Sequence, residues 1–160
     1  MTTTPVSNIR IAGLGGMGII KSSQILASVL FEAGHDVKKA EVHGMSQRGG
    51  SVASDIRFGT EVLSPMIPEG ETDYLLVLTE EELVLYRTAL RPGGILIGPS
   101  LFEKTVLPNK KSLNIAMLGA LSHYLSIPNE TWTAHILSSF PEKLQAVNLE
   151  AFKLGLHAVK

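Results

Sequence analysis

The chain has 160 residues, 14 basic and 15 acidic, no cysteine, and a formal net charge of −1. A chain of that length forms one domain that buries roughly 70% of its unfolded surface, so it needs no staple to fold. Lacking cysteine, it has no disulfide, no thiolate zinc site, no cysteine-ligated iron–sulfur cluster and no catalytic cysteine, and its near-neutral charge gives no global field for nucleic acid.

The first residues, Met-Thr-Thr-Thr-Pro-Val-Ser, carry neither the basic start nor the apolar core of a signal peptide, and we read residues 1–7 as a tail outside the fold. No apolar run is long enough to span a bilayer; together with the missing cysteines this points to a cytoplasmic protein. Ile9 to Leu14 reads as a buried strand, short, apolar and ended by glycine. From Met17 the period changes: Ile19, Leu26, Ala27 and Leu30 share a helical face, and Gly34 stands where a C-terminal glycine cap belongs. Asp36 to Val42 is a second strand, so the start of the chain predicts a βαβ unit with two parallel strands and a right-handed crossover.

Beyond residue 50, Val52, Ser54 and Ile56 alternate with Ala53, Asp55 and Arg57, and Gly59-Thr60 turns the chain toward Val62 and Leu63. That pattern predicts an antiparallel hairpin or excursion. Tyr74 to Leu78 is a further buried strand, Glu80 to Leu90 a helix with an acidic first turn, and Arg91-Pro-Gly-Gly a turn into a strand over Ile95 to Gly98. The last third is helical: Leu113 to Leu125, then a helix capped by Asn129, then one from Glu142 to about Ala158 with Pro141 at its start. Alternating strands and helices followed by helices predict a single three-layer α/β/α domain over residues 1–160, Rossmann-like, with a mainly parallel but mixed sheet.

Two glycine-rich segments carry the functional signal. Gly13-Leu-Gly-Gly-Met-Gly18 lies between a strand and a helix. Its spacing matches a phosphate-cradling turn: Gly13 for the tight turn, Gly15 for close approach of backbone to phosphate, Gly18 for helix–strand packing. Glu41, near the end of the second strand, is placed to act as a ribose-binding acid, which keeps an NAD-type regulatory or redox domain open as a reading. A turn that merely joins strand to helix remains the plainer one. The second segment, His43-Gly-Met-Ser-Gln-Arg-Gly-Gly50, sets Arg48 beside Gly49 and Gly50. A guanidinium offers paired donors to an anion, and two glycines let a ligand or a partner's backbone come close. A surface arginine paired with Glu41 or Asp55 is the alternative.

Other motifs fail. The five histidines have no HxH or HExxH spacing, and Gly44-Met-Ser-Gln-Arg48 lacks the final glycine of a hydrolase elbow. Lys110 and Lys111 are too few for a nucleic-acid patch, and Trp132, Phe140 and Phe152 are read as core or interface aromatics.

The glycine turn followed by Glu41-Val-His-Gly-Met-Ser-Gln-Arg-Gly-Gly-Ser-Val52 resembles the gamma domain of the 2-oxoacid:ferredoxin oxidoreductases, and within that family the small subunit of the indolepyruvate type. The resemblance continues through Arg57, Ser64-Pro65, Asp73, Met117-Leu-Gly-Ala120, Asn148-Leu-Glu-Ala-Phe152 and Gly155. It implies a complex that oxidatively decarboxylates a 2-oxoacid to an acyl-coenzyme A and reduces ferredoxin. Thiamine diphosphate, magnesium and iron–sulfur clusters would then sit on a larger partner subunit. For this chain it implies no catalytic residue of its own, a part in completing the complex, and reception of coenzyme A at Gly13, Gly15, Gly16, Gly18, Arg48, Gly49 and Gly50. Neither nucleic acid nor membrane is an expected partner, and the isolated chain is expected to self-associate through the surface its partner would cover.

Overall fold

A computed structural model describes residues 5–43 and 50–160, apart from the side chain of His43. Five strands form one sheet in the order β2-β3-β1-β4-β5: β1 (Ser7–Leu14), β2 (Asp36–His43), β3 (Ser51–Gly59), β4 (Thr72–Val77) and β5 (Leu90–Ile97). The helices are α1 (Ile19–Glu32), α2 (Glu80–Tyr86), α3 (Leu113–Ser122), α4 (Asn129–Ser139) and α5 (Glu142–Ala158). β1 pairs in parallel with β4, and β4 with β5, while β3 runs antiparallel to both β1 and β2. The sheet is therefore mixed, with four strands pointing one way. Ser7 already pairs with Phe58, so the strand begins inside the tail expected over residues 1–7.

The second half of the expected hairpin does not form. β3 is one long strand inserted between β1 and β2, so those two strands point the same way without touching. Val62 is not in a strand: its N–H donates to the Asp36 carboxylate at 2.7 Å, and Pro65 and Pro68 follow in the same irregular stretch. The alternation along β3 does not separate inside from outside either. Ala53, Ser54, Asp55 and Ile56 are all buried, because both faces of the sheet are covered.

The two covers are unequal. Ile9, Ile11, Ile56, Leu76 and Ile97 share one core with side chains of α1, α3, α4 and α5. The opposite face carries Arg10 and Asp55 and is covered by α2, through Tyr86, and by the irregular segment around Ile67. α1 ends at Gly34 (φ +95°), where Gly34 N–H donates to Phe31 and His35 N–H to Leu30, a pairing that satisfies carbonyls the helix end would otherwise orphan. α2 is shorter than expected, giving way to a 3₁₀ turn at Arg87–Ala89, and residues Arg91 to Gly94 are an irregularity within β5, with Gly93 at φ +78°. Asn129 is the first residue of α4 rather than its cap, a place taken by Pro128.

α3 is buried from Asn114 to Ser122, apolar on nearly every side, as a helix enclosed by its neighbours must be. It meets α5 through Gly119 and Gly155. A Cβ on Gly155 would run into the backbone of Ala116, and one on Gly119 into the backbone of Phe152. The residues Met117 to Ala120, Asn148 to Phe152 and Gly155 are thus a packing signature.

Two outcomes follow. Gly155→Ala must push two backbones apart and is expected to cost about 3 kcal/mol, a fall in Tm of roughly 6–12 °C for a domain of this size, measurable by calorimetry. Asp36 is held below the usual carboxylate range, first by the Val62 N–H and then by Lys38. A depressed carboxyl contributes stability above its unfolded pKa, about 3.9, and loses it as the pH falls through the folded value. Urea midpoints of Asp36→Asn should therefore lie below those of the parent at pH 7 and converge with them as the pH falls below about 4.

Candidate functional site

The carboxyl ends of β1 and β4 lie side by side, and the chain leaves them in opposite directions. After β1 it turns into α1 on the thick side of the sheet; after β4 it turns into α2 on the other. Such a divergence opens a crevice at the strand ends, the usual ligand position of open α/β sheets. The segment between β2 and β3 joins the same edge, since β2 ends and β3 begins there. The two glycine segments meet: Gly15 N–H donates to the carbonyl of Gly50 at 3.1 Å, one residue beyond the Leu14–Ser51 pair that closes the β1–β3 ladder.

The glycines divide their work differently from the fingerprint expectation. Gly16 (φ +88°) and Gly18 (φ +78°) make the tight turn, both in the left-handed region. Gly13 provides the close helix–strand packing, for a Cβ there would lie 2.8 Å from Ile19 Cδ1 and 3.3 Å from Leu78 Cβ. Gly18 lies against α3: Asn114 Nδ2 donates to its carbonyl at 3.1 Å and occupies the space a Cβ would need. Gly15 is exposed but its N–H is already spent on Gly50, and Met17 N–H donates to Leu14. Among the described residues, the donors left for an anion are therefore Gly16 N–H and the first turn of α1, where Ser22 bonds back to Gly18. No side chain caps that end, and no acid stands in its first turn.

Cations and small cavities surround the turn. One hollow of about 340 Å³ runs from Leu14, Gly15 and Gly16 past Ile20 and Lys21 to Val52. A second, about 240 Å³, lies between Gly18, Lys21, Lys111, Asn114 and Asn148, and a third, about 200 Å³, between Gly16, Leu78, Lys110 and Lys111. Lys21 reaches Ser139 O at 3.0 Å and stands 5.4 Å from the Phe140 ring centre. Lys110 and Lys111 lie on a 3₁₀ turn capped by Asn109, whose side chain accepts from the backbone N–H of Lys111 at 2.9 Å. Three lysines and an uncapped helix N-terminus thus converge on a turn of exposed glycine, which suits a polyanion.

On the thin side of the sheet lies a polar network that the sequence pattern does not announce. Arg10 pairs with Asp55 through two hydrogen bonds, Nε to Oδ1 at 2.6 Å and Nη2 to Oδ2 at 2.8 Å. That bond holds the guanidinium pKa above its usual value, with burial opposing it. Arg10 also lies 5.8 Å from the Tyr86 ring centre. Tyr86 OH is 2.8 Å from Ser51 Oγ, and Ser51 Oγ donates to Glu82 Oε2 at 2.5 Å. Glu82, read from the sequence as one of three acids offsetting the α2 dipole, is turned inward and only 6% exposed. Its backbone N–H keeps the local role, donating to the N-cap Thr79 Oγ1 at 3.1 Å. The sequence signal for it was Thr79-Glu-Glu-Glu82, a capping-box spacing whose carboxylate went elsewhere.

Glu41 has lost its place as a ribose acid. It stands on β2, the outermost strand, opposite Ser54 of β3, and accepts from Lys39 at 2.8 Å. With β3 between, β2 lies two strand spacings, about 10 Å, from β1; the acid of a dinucleotide fold sits on a strand next to β1. Arg48 and Gly49 lie outside the described residues. Arg57 bonds Asn8 and Ser64, and Asp73 accepts from Asn8 N–H and pairs with Arg91, so these positions brace the far end of the sheet. His135 meets Glu32 at 2.7 Å and His35 packs edge-on to Phe58. Among the described residues no cluster of three His, Cys, Asp or Glu could hold a metal ion, and no helix is long and apolar enough to cross a membrane.

Residues 8–112 match the model of the pyruvate ferredoxin/flavodoxin oxidoreductase family. The chain belongs to that family. It is 32% identical to indolepyruvate oxidoreductase subunit IorB of Thermococcus kodakarensis, with 96% of each chain covered. In structure it resembles the gamma subunit of the keto/oxoacid ferredoxin oxidoreductase of Geobacter sulfurreducens, with TM-score 0.80, 25% identity, and 95% and 97% of the two chains covered. It also shares its fold with part of the 2-oxoglutarate:ferredoxin oxidoreductase of Magnetococcus marinus, at TM-score 0.78 and 23% identity, covering 98% of this chain and 31% of that one. This is a small-subunit, gamma-type chain of a 2-oxoacid:ferredoxin oxidoreductase complex.

The two positive-φ glycines predict an ordering. Gly16→Ala meets open space and should cost only its backbone strain, about 1–2 kcal/mol. Gly18→Ala adds a collision with Asn114 to the same strain, so its urea midpoint should fall further.

Proposed function

We propose that this chain is the small subunit of an aryl-pyruvate, indolepyruvate-type ferredoxin oxidoreductase, and that its crevice receives coenzyme A for the complex. The observation that carries the reading is the junction of Gly15 and Gly50 at the carboxyl edge, with the first turn of α1 and Lys21, Lys110 and Lys111 around it. The residues present fit a long polyanion. Gly16 N–H and the N-terminus of α1 suit a phosphate, the lysines suit the charge that remains, and Arg48, placed by the sequence two residues before Gly50, suits a bidentate contact. When bound, coenzyme A supplies the thiol that takes up the acyl group. The role of this chain is to hold the carrier, and it needs no catalytic residue to do so.

Similarity to the small subunit from Thermococcus kodakarensis supports the indolepyruvate reading. In keeping with the family resemblance, thiamine diphosphate, magnesium and iron–sulfur clusters belong to a larger cytoplasmic partner subunit, which passes electrons to ferredoxin. Selection of the 2-oxoacid belongs to that partner too.

The test is an anaerobic pull-down from the native host with this chain tagged, followed by viologen reduction with several 2-oxoacids. A brown, thiamine-containing complex dependent on coenzyme A, most active with an aryl pyruvate, is expected; the metal-free chain alone should reduce no dye. In that complex Arg48→Ala should weaken coenzyme A by about 1.5–3 kcal/mol, as loss of a charge-assisted hydrogen bond does. Turnover by the chain alone, or an unchanged coenzyme A KM in the variant, would overturn the reading.

A further inference from the structure

The chain of hydroxyls behind the crevice has one sense only. Glu82 accepts, so the single proton of Ser51 Oγ points to it at 2.5 Å, and Ser51 is left to accept from Tyr86 at 2.8 Å. The ring of Tyr86 carries the Arg10 guanidinium, which Asp55 fixes in turn. The order Tyr86 to Ser51 to Glu82 is thus set by the carboxylate. Ser51 is the first residue of β3 and follows Gly50, whose carbonyl holds Gly15 N–H. A carboxylate on α2, the helix after β4, therefore fixes the point where the 44–50 segment rejoins the sheet. The glycine turn leans on that same point.

Glu82 is in the right place for this and in a poor place for anything else. It is 6% exposed, and Ser51 is the hydrogen-bond partner of its carboxylate among the described residues. Burying a carboxylate is costly, and a surface acid at the same helix position would serve the dipole equally well, as Glu80 and Glu81 do. The inward turn gains the helix nothing; what it adds is control of Ser51.

We propose that Glu82 is a positioning residue for the coenzyme A site: acting through Ser51, it holds Gly50 against Gly15 and so sets the ligand-binding geometry of a turn it never touches. This rests on the coenzyme A reading above. It predicts a split that a merely structural residue would not produce. In the purified native complex, Glu82→Ala should raise the KM for coenzyme A about tenfold while kcat and the KM for the 2-oxoacid stay within twofold, the size of effect expected when a hydrogen bond to a charged group is lost. Glu82→Gln keeps an acceptor oxygen for Ser51 and should restore the KM to within about threefold. Ser51→Ala should reproduce the alanine effect. Ile136→Val, in the core far along α4, controls for stability: it should lower Tm without moving the KM for coenzyme A.

An unchanged coenzyme A KM in Glu82→Ala, with Arg48→Ala still impaired, would overturn this inference and leave the coenzyme A reading intact. If Arg48→Ala were also unchanged, the coenzyme A reading itself would have failed. A parallel fall in kcat, 2-oxoacid use and complex recovery would mark Glu82 as an assembly residue and likewise overturn the proposal. Should Glu82→Ala fail to fold, Glu82→Gln and Ser51→Ala decide the matter, since the first is close to isosteric and the second removes one half-buried hydroxyl.

Discussion

The hydrogen bond from Gly15 to Gly50 is the point on which the site depends. It continues the β1–β3 ladder by one step beyond Leu14 and Ser51, and it joins two stretches of chain that the sequence separates by more than thirty residues. Its existence depends on β3 lying between β1 and β2. Were β2 paired directly with β1, as in a plain βαβ unit, the segment after β2 would end one strand spacing nearer the turn but would have no strand of its own to fix it. The antiparallel insertion gives that segment two anchored ends, one on the outer strand and one in the middle of the sheet. The same insertion removes Glu41 from the neighbourhood of β1 and with it the geometry of a dinucleotide site.

From that junction outward the structure divides into a thick side and a thin side. On the thick side, α3 and α5 press backbone to backbone at Gly119 and Gly155, and Asn114 at the start of α3 reaches Gly18. The turn is thereby referenced to the most buried helix of the domain. On the thin side, among the described residues, a short helix and an irregular segment cover the sheet, and polar contacts stand among buried Ala12, Ala53, Leu75 and Val77: Arg10 with Asp55, Asp55 with Ile67 N–H, Ser51 with Glu82. Buried polar contacts of that kind are directional where apolar contacts are not, so they specify position at some cost in stability.

Much of this was legible in the sequence. Period changes placed β1, α1 and α5 to within a residue or two, and Gly34 announced a helix end that forms as expected, because these features depend on local chemistry alone. Both glycine segments stood out in the sequence, and Gly15 and Gly50, one from each, are hydrogen-bonded. What local chemistry could not reveal was partnership. Val52 to Arg57 reads the same whether its strand is an outlying hairpin or the centre of the sheet, since strand pairing is decided by residues far away. The roles of Gly13 and Gly18 were interchanged for the same reason: spacing shows that a turn needs glycine, while Ile19, Leu78 and Asn114 decide which glycine does what. Glu82 looked like an acid offsetting the helix dipole because its partner Ser51, which draws it inward, lies thirty-one residues earlier.

The insertion of β3 also determines where this domain can change without cost. A loop between two adjacent antiparallel strands can lengthen or shorten without shifting the register of either, because loop closure grows only slowly more costly with length. The end of β2 and the start of β3 are such neighbours, paired at His43 and Val52, and they stand at the crevice edge. Insertions between those two strands would leave the sheet in register, while the glycine turn, bound by Asn114 on one side and Gly50 on the other, has no such latitude. Length is thus free to vary between β2 and β3, and the glycine turn fixes the frame in which that length is measured.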